Sequence, residues 1–537
     1  MKLGVGSLLF FLVVLFPAGG VASAVSPADF GGHPDDGEDD TAAIREALAA
    51  AASAPGGTVR FEPGVYRLSG EEEGRGPLFR VHRANGLKIE GNGAVLLVTT
   101  PTIGLFHFRE ARDLVLRNLT VRYDPLPFAW GRVVELRRAD RGLVVATDAA
   151  SPSFGAPWVR RNGQWGCFLD PEIPGRLLAD APNVVFLREP PVDEGDNRFL
   201  LRLDNPFGKI SMIETGDTFV LNARDNRSPV FFAAASNGVR LEGVVVEQCP
   251  GGHFLAVDSE DLSVLGCEAR IAPGLPKSGN ADFVHFQNCR GPIRIEGNEV
   301  AGITDDAVNL YSKPFLPLER EGDRRVRLSR VAGRLDAREG AGRIRVGDRL
   351  VFYDRDRGEI ALRTRAEAAD PETGWVRLAD ELPPEVDSDG RWSVYGAEYA
   401  RGVRIAGNEF RDLRRFGVFL KAYEAEIRDN LFEGLSGAAL FLSNEPNHYR
   451  EGLFCEDVVI EGNRFENCGF SANFEANPSW AAVTLQALRM PHRPAPLTAA
   501  HRGIRIENNV FSGNRRDVFL RNVEGMAIDD ALTRKAE

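Results

Sequence analysis

The sequence lacks the features that mark several large classes of protein. Its 537 residues include no dense run of lysine or arginine, and the formal net charge is −12. This balance argues against a nucleic-acid partner, because phosphate binding needs a basic surface. It also disfavours a polyanionic substrate, although a local basic pocket could override the overall charge. The six cysteines form no CxxC pair, so a zinc cluster is not indicated.

Long apolar segments are also absent beyond the N-terminus. There, Lys2 precedes an unbroken apolar run over residues 8–16 and small residues at 22–24. This pattern predicts an export signal over residues 1–24, and hence a secreted or periplasmic protein. The alternative is a membrane anchor, but the run is short for a span. In an exported chain the six cysteines could pair, and the sequence leaves all 15 connectivities open.

What the sequence does contain is a repeated phrase. A hydrophobic alternation is followed by a small or polar residue and then by asparagine, and four copies carry phenylalanine two positions later. The copies lie at residues 87–92, 293–298, 403–408, 427–430, 459–463 and 504–509. Recurring units with period-2 alternation predict a β-solenoid, because one unit cannot bury its apolar face alone. Asparagine suits the sharp turn, since it tolerates the left-handed conformation, and its amide can bond to the same group one coil away.

The spacing of the asparagines sets the length of a coil. Asn408 and Asn430 lie 22 residues apart, whereas Asn298 and Asn408 lie 110 apart, which is one coil plus 88 inserted residues. The insertion, residues 313–399, contains a charged strand phrase that is similar to the one closing a second region, residues 125–228, and both regions are expected to form small β-barrels. We therefore predict an all-β, right-handed parallel β-helix of the pectin-lyase type with two inserted barrels.

An N-terminal helix completes the prediction. Residues 39–48 have the pattern of a capped amphipathic helix, placed to cover the open end of the β-helix. The predicted organisation is a signal peptide, a cap with first coils, a barrel, coils with the candidate site, a second barrel and C-terminal coils, at residues 1–24, 25–124, 125–228, 229–312, 313–399 and 400–537.

Aligning successive coils identifies a candidate site. When Val284, Val308, Val418 and Leu440 form one apolar column, Asp282 lies beside Asp306 on the next coil, with Asp305 one position earlier. Neighbouring parallel strands are about 4.8 Å apart, so the three carboxylates should share one patch of surface that is open to solvent. Crowding of like charges raises the pKa of one member and leaves an acid beside ionised bases, as glycosidic hydrolysis requires.

Other interpretations of these aspartates stay open at this stage. An Asp-Asp pair at a turn commonly does nothing beyond capping, and three carboxylates would also suit a calcium ion. The position between the apolar columns holds His285 and Asn309, which should face outward.

The pairing of 280–282 with 304–306 one coil later resembles the aspartate trio of the polygalacturonase-type β-helix hydrolases. The 23-residue separation of Asp282 and Asp305, the two inserts and the export signal are more similar to glycoside hydrolase family 110. The resemblance covers nearly the whole mature chain. It implies an inverting exo-α-1,3-galactosidase that acts on glycans such as the blood-group B determinant, with no metal and no other cofactor.

Carried over from this resemblance, Asp305 is the general acid, and Asp282 and Asp306 hold and deprotonate the attacking water. The candidates for binding sugar hydroxyls are His285, Asn309, Lys421 and Glu445. An acid and base about 6.5–9.5 Å apart would suit inversion. The sequence departs from the polygalacturonases in lacking their Gly-His-Gly and Arg-Ile-Lys motifs. That departure weakens a uronate substrate, because a carboxylated sugar demands a basic clamp.

Two other functions remain as alternatives: a polygalacturonase-like hydrolase or lyase acting on acidic glycans, and a non-catalytic glycan-binding β-helix. The inserts also suggest, as a hypothesis, a homodimer in which one barrel overhangs the partner's site.

Overall fold

The computed structural model describes residues 24–71, 76–204, 212–330, 344–447, 449–471, 481–491, 493–496 and 501–529. The predicted export signal falls almost wholly outside the described residues, so export stays a prediction. Within these ranges, every helix is too short or too polar to cross a bilayer.

Two parallel sheets wind around a common core, as the predicted parallel β-helix requires. Sheet B, the ten-stranded one, carries the candidate aspartates at its strand starts. Its strands are Pro77–His82, Gly104–Arg109, Phe231–Ala234, Phe254–Val257, Val284–Gln287, Val308–Tyr311, Val418–Leu420, Leu440–Ser443, Val483–Gln486 and Val518–Leu520.

Sheet A has 21 strands and forms the other faces of the coils. Its strands are Ala24–Val25, Thr58–Arg60, Val65–Leu68, Lys88–Val98, Arg112–Tyr123, Asn237–Glu242, Val245–Val246, Glu260–Leu265, Glu268–Ala269, Arg290–Glu296, Glu299–Ala301, Arg401–Ala406, Glu409–Arg411, Tyr423–Arg428, Leu431–Glu433, Glu456–Glu461, Arg464–Glu466, His501–Glu507, Val510–Ser512, Val523–Glu524 and Ala527–Ile528.

The coil alignment made from the sequence is confirmed by the strand register. Val284 pairs with Val308, Val308 with Val418, and Val418 with Leu440. In sheet A one column of isoleucines is completely buried over five coils: Ile295, Ile405, Ile427, Ile460 and Ile506. Burying each such side chain contributes roughly 1.5–3 kcal/mol. Because a coil buries its apolar face only against its neighbours, this contribution depends on the stack.

The repeated asparagines form a buried ladder along the solenoid. Each side-chain amide donates to the Oδ1 atom of the asparagine one coil further on, at 2.8–3.0 Å, from Asn298 through Asn408, Asn430 and Asn463 to Asn509. The prediction of bonding between coils is confirmed. The expectation of a left-handed asparagine is confirmed at Asn92, where φ is 51°. It is wrong for the five ladder asparagines, because the positive φ belongs to the residue before each one, which is Gly297, Gly407, Asp429, Gly462 and Asn508 respectively.

The first insert contains seven strands, six of which close into a ring. Closure is completed where Phe186 pairs with Asp204. The strands are Phe128–Arg137, Gly142–Thr147, Gly163–Leu169, Val185–Leu187, Val192–Gly195, Arg198–Asp204 and Thr218–Ala223. The short helix Pro157–Asn162 and the 3-10 turn Arg138–Asp140 belong to this unit.

The second insert is a closed six-stranded barrel between the coil strands Val308–Tyr311 and Arg401–Ala406. Its strands are Phe315–Glu321, Arg325–Arg330, Arg349–Asp354, Glu359–Ala369, Trp375–Leu378 and Trp392–Gly396. The remaining strands, Leu488–Arg489 and Arg493–Pro494, pair in an antiparallel ribbon.

The predicted N-terminal helix covers the first coil. It runs from Thr41 to Ala52 after a 3-10 turn at Pro27–Phe30, and it buries Ile44 and Leu48 against the β-helix core. Its cap differs from the prediction. Asp40 precedes the helix but accepts from the backbone N–H of Arg67, which ties the helix to the strand Val65–Leu68.

All six cysteines are buried and none is in a disulfide. The structure therefore contains none of the disulfide connectivities that the sequence left open.

Candidate active site

The structure brings Asp282, Asp305 and Asp306, here called the aspartate trio, to one place. Asp282 lies two residues before Val284, and Asp306 two residues before Val308, which is the paired valine on the next coil. The backbone N–H of Asp306 donates to Asp282 Oδ1 at 3.1 Å. One oxygen from each of the three carboxylates lies within 4.8 Å of the others.

The trio is paired with arginines, so the expectation of an unpaired acidic patch open to solvent is wrong. Arg224 donates to Asp305 Oδ2 at 2.5 Å, and Arg415 donates to Asp305 Oδ1 at 2.9 Å. The same Arg415 nitrogen is 3.4 Å from Asp306 Oδ2. Asp305 is 7% exposed and Asp306 is fully buried. Burial of like charges is costly without such partners, and the arginines supply the compensation.

The environment separates the charge states of the two adjacent aspartates. Burial raises the pKa of Asp306 well above its ordinary value, and the negative charges of Asp305 and Asp282 add to this against the opposing effect of Arg415. Burial acts on Asp305 in the same direction, but Arg224 and Arg415 outweigh it and hold the pKa of Asp305 far below its ordinary value. The trio therefore holds one carboxyl that favours its proton beside one that favours ionisation.

Asp282 has a different set of partners. Its Oδ2 lies 2.6 Å from His285 Nδ1, and His285 Nε2 lies 2.9 Å from the hydroxyl of Tyr311. Both nitrogens of His285 are occupied in this way, so His285 has no nitrogen left for a sugar hydroxyl. The structure places it as a partner of Asp282 rather than as the predicted sugar ligand.

Lys421 and Asn309 are buried, contrary to the prediction that they bind sugar. The Lys421 ammonium lies 3.0 Å from Glu451 and 3.2 Å from Asn309 Oδ1, and its side chain has no exposed surface. Burial lowers the pKa of Lys421, and the attraction of Glu451 opposes that shift. Lys421, Glu451 and Asn309 therefore form a buried polar network.

Glu445 organises its own loop instead of facing the trio. Its carboxylate accepts from the backbone N–H groups of Asn447, Tyr449 and Arg450. These bonds shape the turn before Glu451, the buried partner of Lys421. These hydrogen bonds of Glu445 thus lie within its own loop, which differs from the predicted contact with a sugar.

The first insert reaches the site through residues that the sequence analysis missed. Arg224 follows the last strand of that insert directly. Arg414 donates to the carbonyl of Thr304 at 2.6 Å and to the carbonyl of Asn183 in the insert, and it lies over the ring of Trp165. These contacts join the insert to the turn that carries Asp305.

The sequence contains a signal for Arg415 but none for Arg224. Val308 pairs with Val418, so Arg415, three residues before Val418, aligns with Asp305, three residues before Val308. No comparable alignment exists for Arg224, which comes from a separate insert 81 residues away from Asp305.

The charges around the trio bear on the calcium alternative. Three clustered carboxylates suit a hard cation, but both oxygens of Asp305 already accept hydrogen bonds from guanidinium groups. A divalent ion at this place would face two arginines at hydrogen-bond distance. The arrangement fits a charge-compensated proton site better than a cation site.

Comparison with known proteins adds a relationship over most of the chain. The alpha-1,3-galactosidase B of Akkermansia muciniphila is 22% identical over an alignment that includes 91% of this chain and 63% of the relative. The alpha-1,3-galactosidase B of Parabacteroides distasonis is 23% identical, covering 84% of this chain and 76% of the relative. The chain thus spans less than two thirds of the Akkermansia protein.

Among solved structures, a family 28 exopolygalacturonase from Yersinia enterocolitica aligns with a TM-score of 0.36 and 12% identity, covering 95% of this chain and 76% of that one. No protein-family model matches the chain.

Proposed function

We propose that this chain is a glycoside hydrolase that releases terminal α-1,3-linked galactose from glycans such as the blood-group B determinant. The observation that carries the proposal is the division of charge states within the aspartate trio. A glycosidase needs one protonated carboxyl and one ionised carboxylate at the same bond. The relatives named alpha-1,3-galactosidase support the choice of sugar.

In this proposal the proton is stored on Asp306 and delivered by Asp305. Asp306 is fully buried and cannot reach a glycosidic oxygen, whereas the Asp305 side chain is 9% exposed. Arg415 contacts both carboxylates. When a sugar displaces an arginine from Asp305, the proton affinity of Asp305 rises. Asp305 then takes the proton of Asp306 and passes it to the leaving oxygen as general acid, which leaves Asp306 ionised until the proton that Asp282 removes from water restores it.

Asp282 is the base in this scheme and acts on water. Its two oxygens accept from the Asp306 N–H and contact His285, so the carboxylate is held in one orientation. In this scheme Asp282 deprotonates a bound water, and direct attack by that water inverts the anomeric carbon. The closest oxygens of the trio, within 4.8 Å, are nearer than the roughly 6.5–9.5 Å usual in inverting enzymes, so stereochemistry is a sharp test.

An acidic terminal sugar is the second candidate, and the two arginines favour it. The sequence lacks the basic motifs of the polygalacturonases, yet Arg224 and Arg415 meet at the trio in the structure. Paired guanidinium groups are well suited to a carboxylate. A terminal galacturonide would then replace Asp305 as the partner of these arginines.

The test is hydrolysis of matched terminal α-galactosides and α-galacturonides by the full chain, followed by proton NMR. The proposal expects free galactose that first appears as the β anomer. Galacturonic acid as the product would establish the second candidate. An initial α anomer would refute inversion.

Asparagine variants test the trio directly. Asp305→Asn should lower kcat by about 10²–10⁴-fold, the usual contribution of general acid catalysis, while ligand binding persists. Asp261→Asn, at an exposed position of the sheet A strand Glu260–Leu265, is the matched control and should retain full activity. Unchanged hydrolysis by Asp305→Asn would refute the acid role of Asp305, and absence of hydrolysis by the wild type would favour the non-catalytic β-helix.

A further inference from the structure

A chain of hydrogen-bonding groups leads from the trio into the β-helix. Asp282 Oδ2 contacts His285 Nδ1 at 2.6 Å, His285 Nε2 contacts the Tyr311 hydroxyl at 2.9 Å, and that hydroxyl donates to Gln287 Oε1 at 3.0 Å. Register explains the assembly, because Gln287 and Tyr311 are paired residues on adjacent coils. Tyr311 and Gln287 are buried, and the imidazole of His285 lies edge-on to the Tyr311 ring.

The direction of these bonds determines what His285 offers to Asp282. A tyrosine hydroxyl has one hydrogen. If that hydrogen goes to Gln287, the hydroxyl oxygen accepts from His285 Nε2–H, and an ionised Asp282 then requires a second proton on Nδ1. If the two amide atoms of Gln287 are exchanged, the hydroxyl donates to Nε2, and the single imidazole proton resides on Nδ1. Both arrangements place Nδ1–H toward Asp282.

We infer that His285 is a positioning residue that holds the carboxylate of Asp282 by donating from Nδ1, with Tyr311 holding the other end of the ring. The second oxygen of Asp282 is fixed from the next coil by the Asp306 N–H at 3.1 Å. A carboxylate fixed at both oxygens presents its remaining lone pairs in one direction. This inference rests on the proposed function for its kinetic consequence, but not for the geometry.

Charged groups surround His285 on the side away from Asp282. The charges of Glu451 and His285 interact, and the ammonium groups of Lys421 and Lys313 lie 5.4 and 5.3 Å from the centre of the Tyr311 ring. Asp282 and Glu451 are negative, whereas the two lysines are positive. The two lysines compensate the charge of Glu451. The carboxylate that contacts His285 Nδ1 is that of Asp282.

Two substitutions separate the two ends of the imidazole. His285→Asn places an amide near the former Nδ1 position, and His285→Gln places one near the former Nε2 position. If His285 acts through Nδ1, His285→Asn should keep kcat within about tenfold. His285→Gln should lower kcat by about 10²-fold, as expected for a misplaced catalytic group. KM should stay nearly constant in both variants.

The kinetic results distinguish a positioning role of His285 from sugar binding and from a structural role. His82→Gln, at an exposed position at the end of a sheet B strand, should match the wild type. Equal losses in His285→Asn and His285→Gln with a raised KM would overturn the inference in favour of sugar binding. Unchanged kinetics in both variants would overturn it in favour of a structural role.

A measurement without substrate separates this inference from the proposed function. In ¹⁵N-histidine-labelled full-length protein, an Nδ1–H resonance of His285 should be present at neutral pH and should shift in Asp282→Asn. If that resonance is seen but no galactoside is cleaved, the proposed function fails and the positioning geometry stands. If galactosides are cleaved but His285 carries no Nδ1 proton, the inference fails alone.

Discussion

Replacing Arg224 by methionine tests how the trio manages its proton. Arg224 donates to Asp305 Oδ2, while Arg415 serves the other oxygen. Two unit charges about 4 Å apart attract by about 4 kcal/mol at an effective dielectric constant near 20. That energy corresponds to roughly a thousandfold change in the proton affinity of Asp305. Because Arg415 remains in place, a net effect of tenfold to a thousandfold is expected.

The sign of the effect follows from the role of Asp305. Its pKa is held far below the ordinary value by the arginines, so removing one arginine raises that pKa. If Asp305 delivers the shared proton, the high-pH limb of the kcat/KM profile should move to higher pH by about one to three units. Neighbouring carboxyls titrate as a unit, so the limb reports the whole trio.

The assay is a pH profile of terminal α-galactoside hydrolysis by Arg224→Met and by a matched control. Arg227 lies three residues away on the same segment, and its side chain is 60% exposed. Arg227→Met should therefore leave the pH profile unchanged. Near-equal melting temperatures would show that both variants are folded. If the low-pH limb moves upward while the high-pH limb stays fixed, Asp305 works in its ionised form and the proposed acid role is refuted.

Three further predictions concern the surroundings of the site. Lys421→Met should destabilise the protein by about 3–5 kcal/mol because it removes the ammonium that is hydrogen-bonded to buried Glu451; combining it with Glu451→Leu should recover most of the melting temperature, and equal losses would contradict this. Asn430→Ala removes an acceptor from the backbone N–H of Asn408, at about 1–3 kcal/mol for each buried group left unpaired; an unchanged melting temperature would contradict a stabilising ladder. A chelator should leave hydrolysis unchanged because guanidinium groups balance the trio, and activity that calcium alone restores would reverse that interpretation.

The repeat was sufficient to predict the architecture and the meeting of the three aspartates. Period-2 alternation and the recurring asparagine define a coil, and the apolar columns on successive coils can be matched in only one register. Asp282 and Asp306 therefore had to lie side by side, because each lies two residues before a paired valine. Arg415 was visible in the same alignment but was not recognised.

The partners of those aspartates depended on parts of the chain that share no repeat with them. Arg224 reaches Asp305 only because a 7-stranded unit folds back against the coils, and the sequence contains no signal for that packing. Lys421 and Glu445 follow sheet B strands of the coils that align with the site, yet burial and local turn geometry direct their side chains elsewhere. Short-range periodicity thus fixed which carboxylates meet, whereas long-range packing of the inserts decided their charge, because charge depends on every neighbour in space.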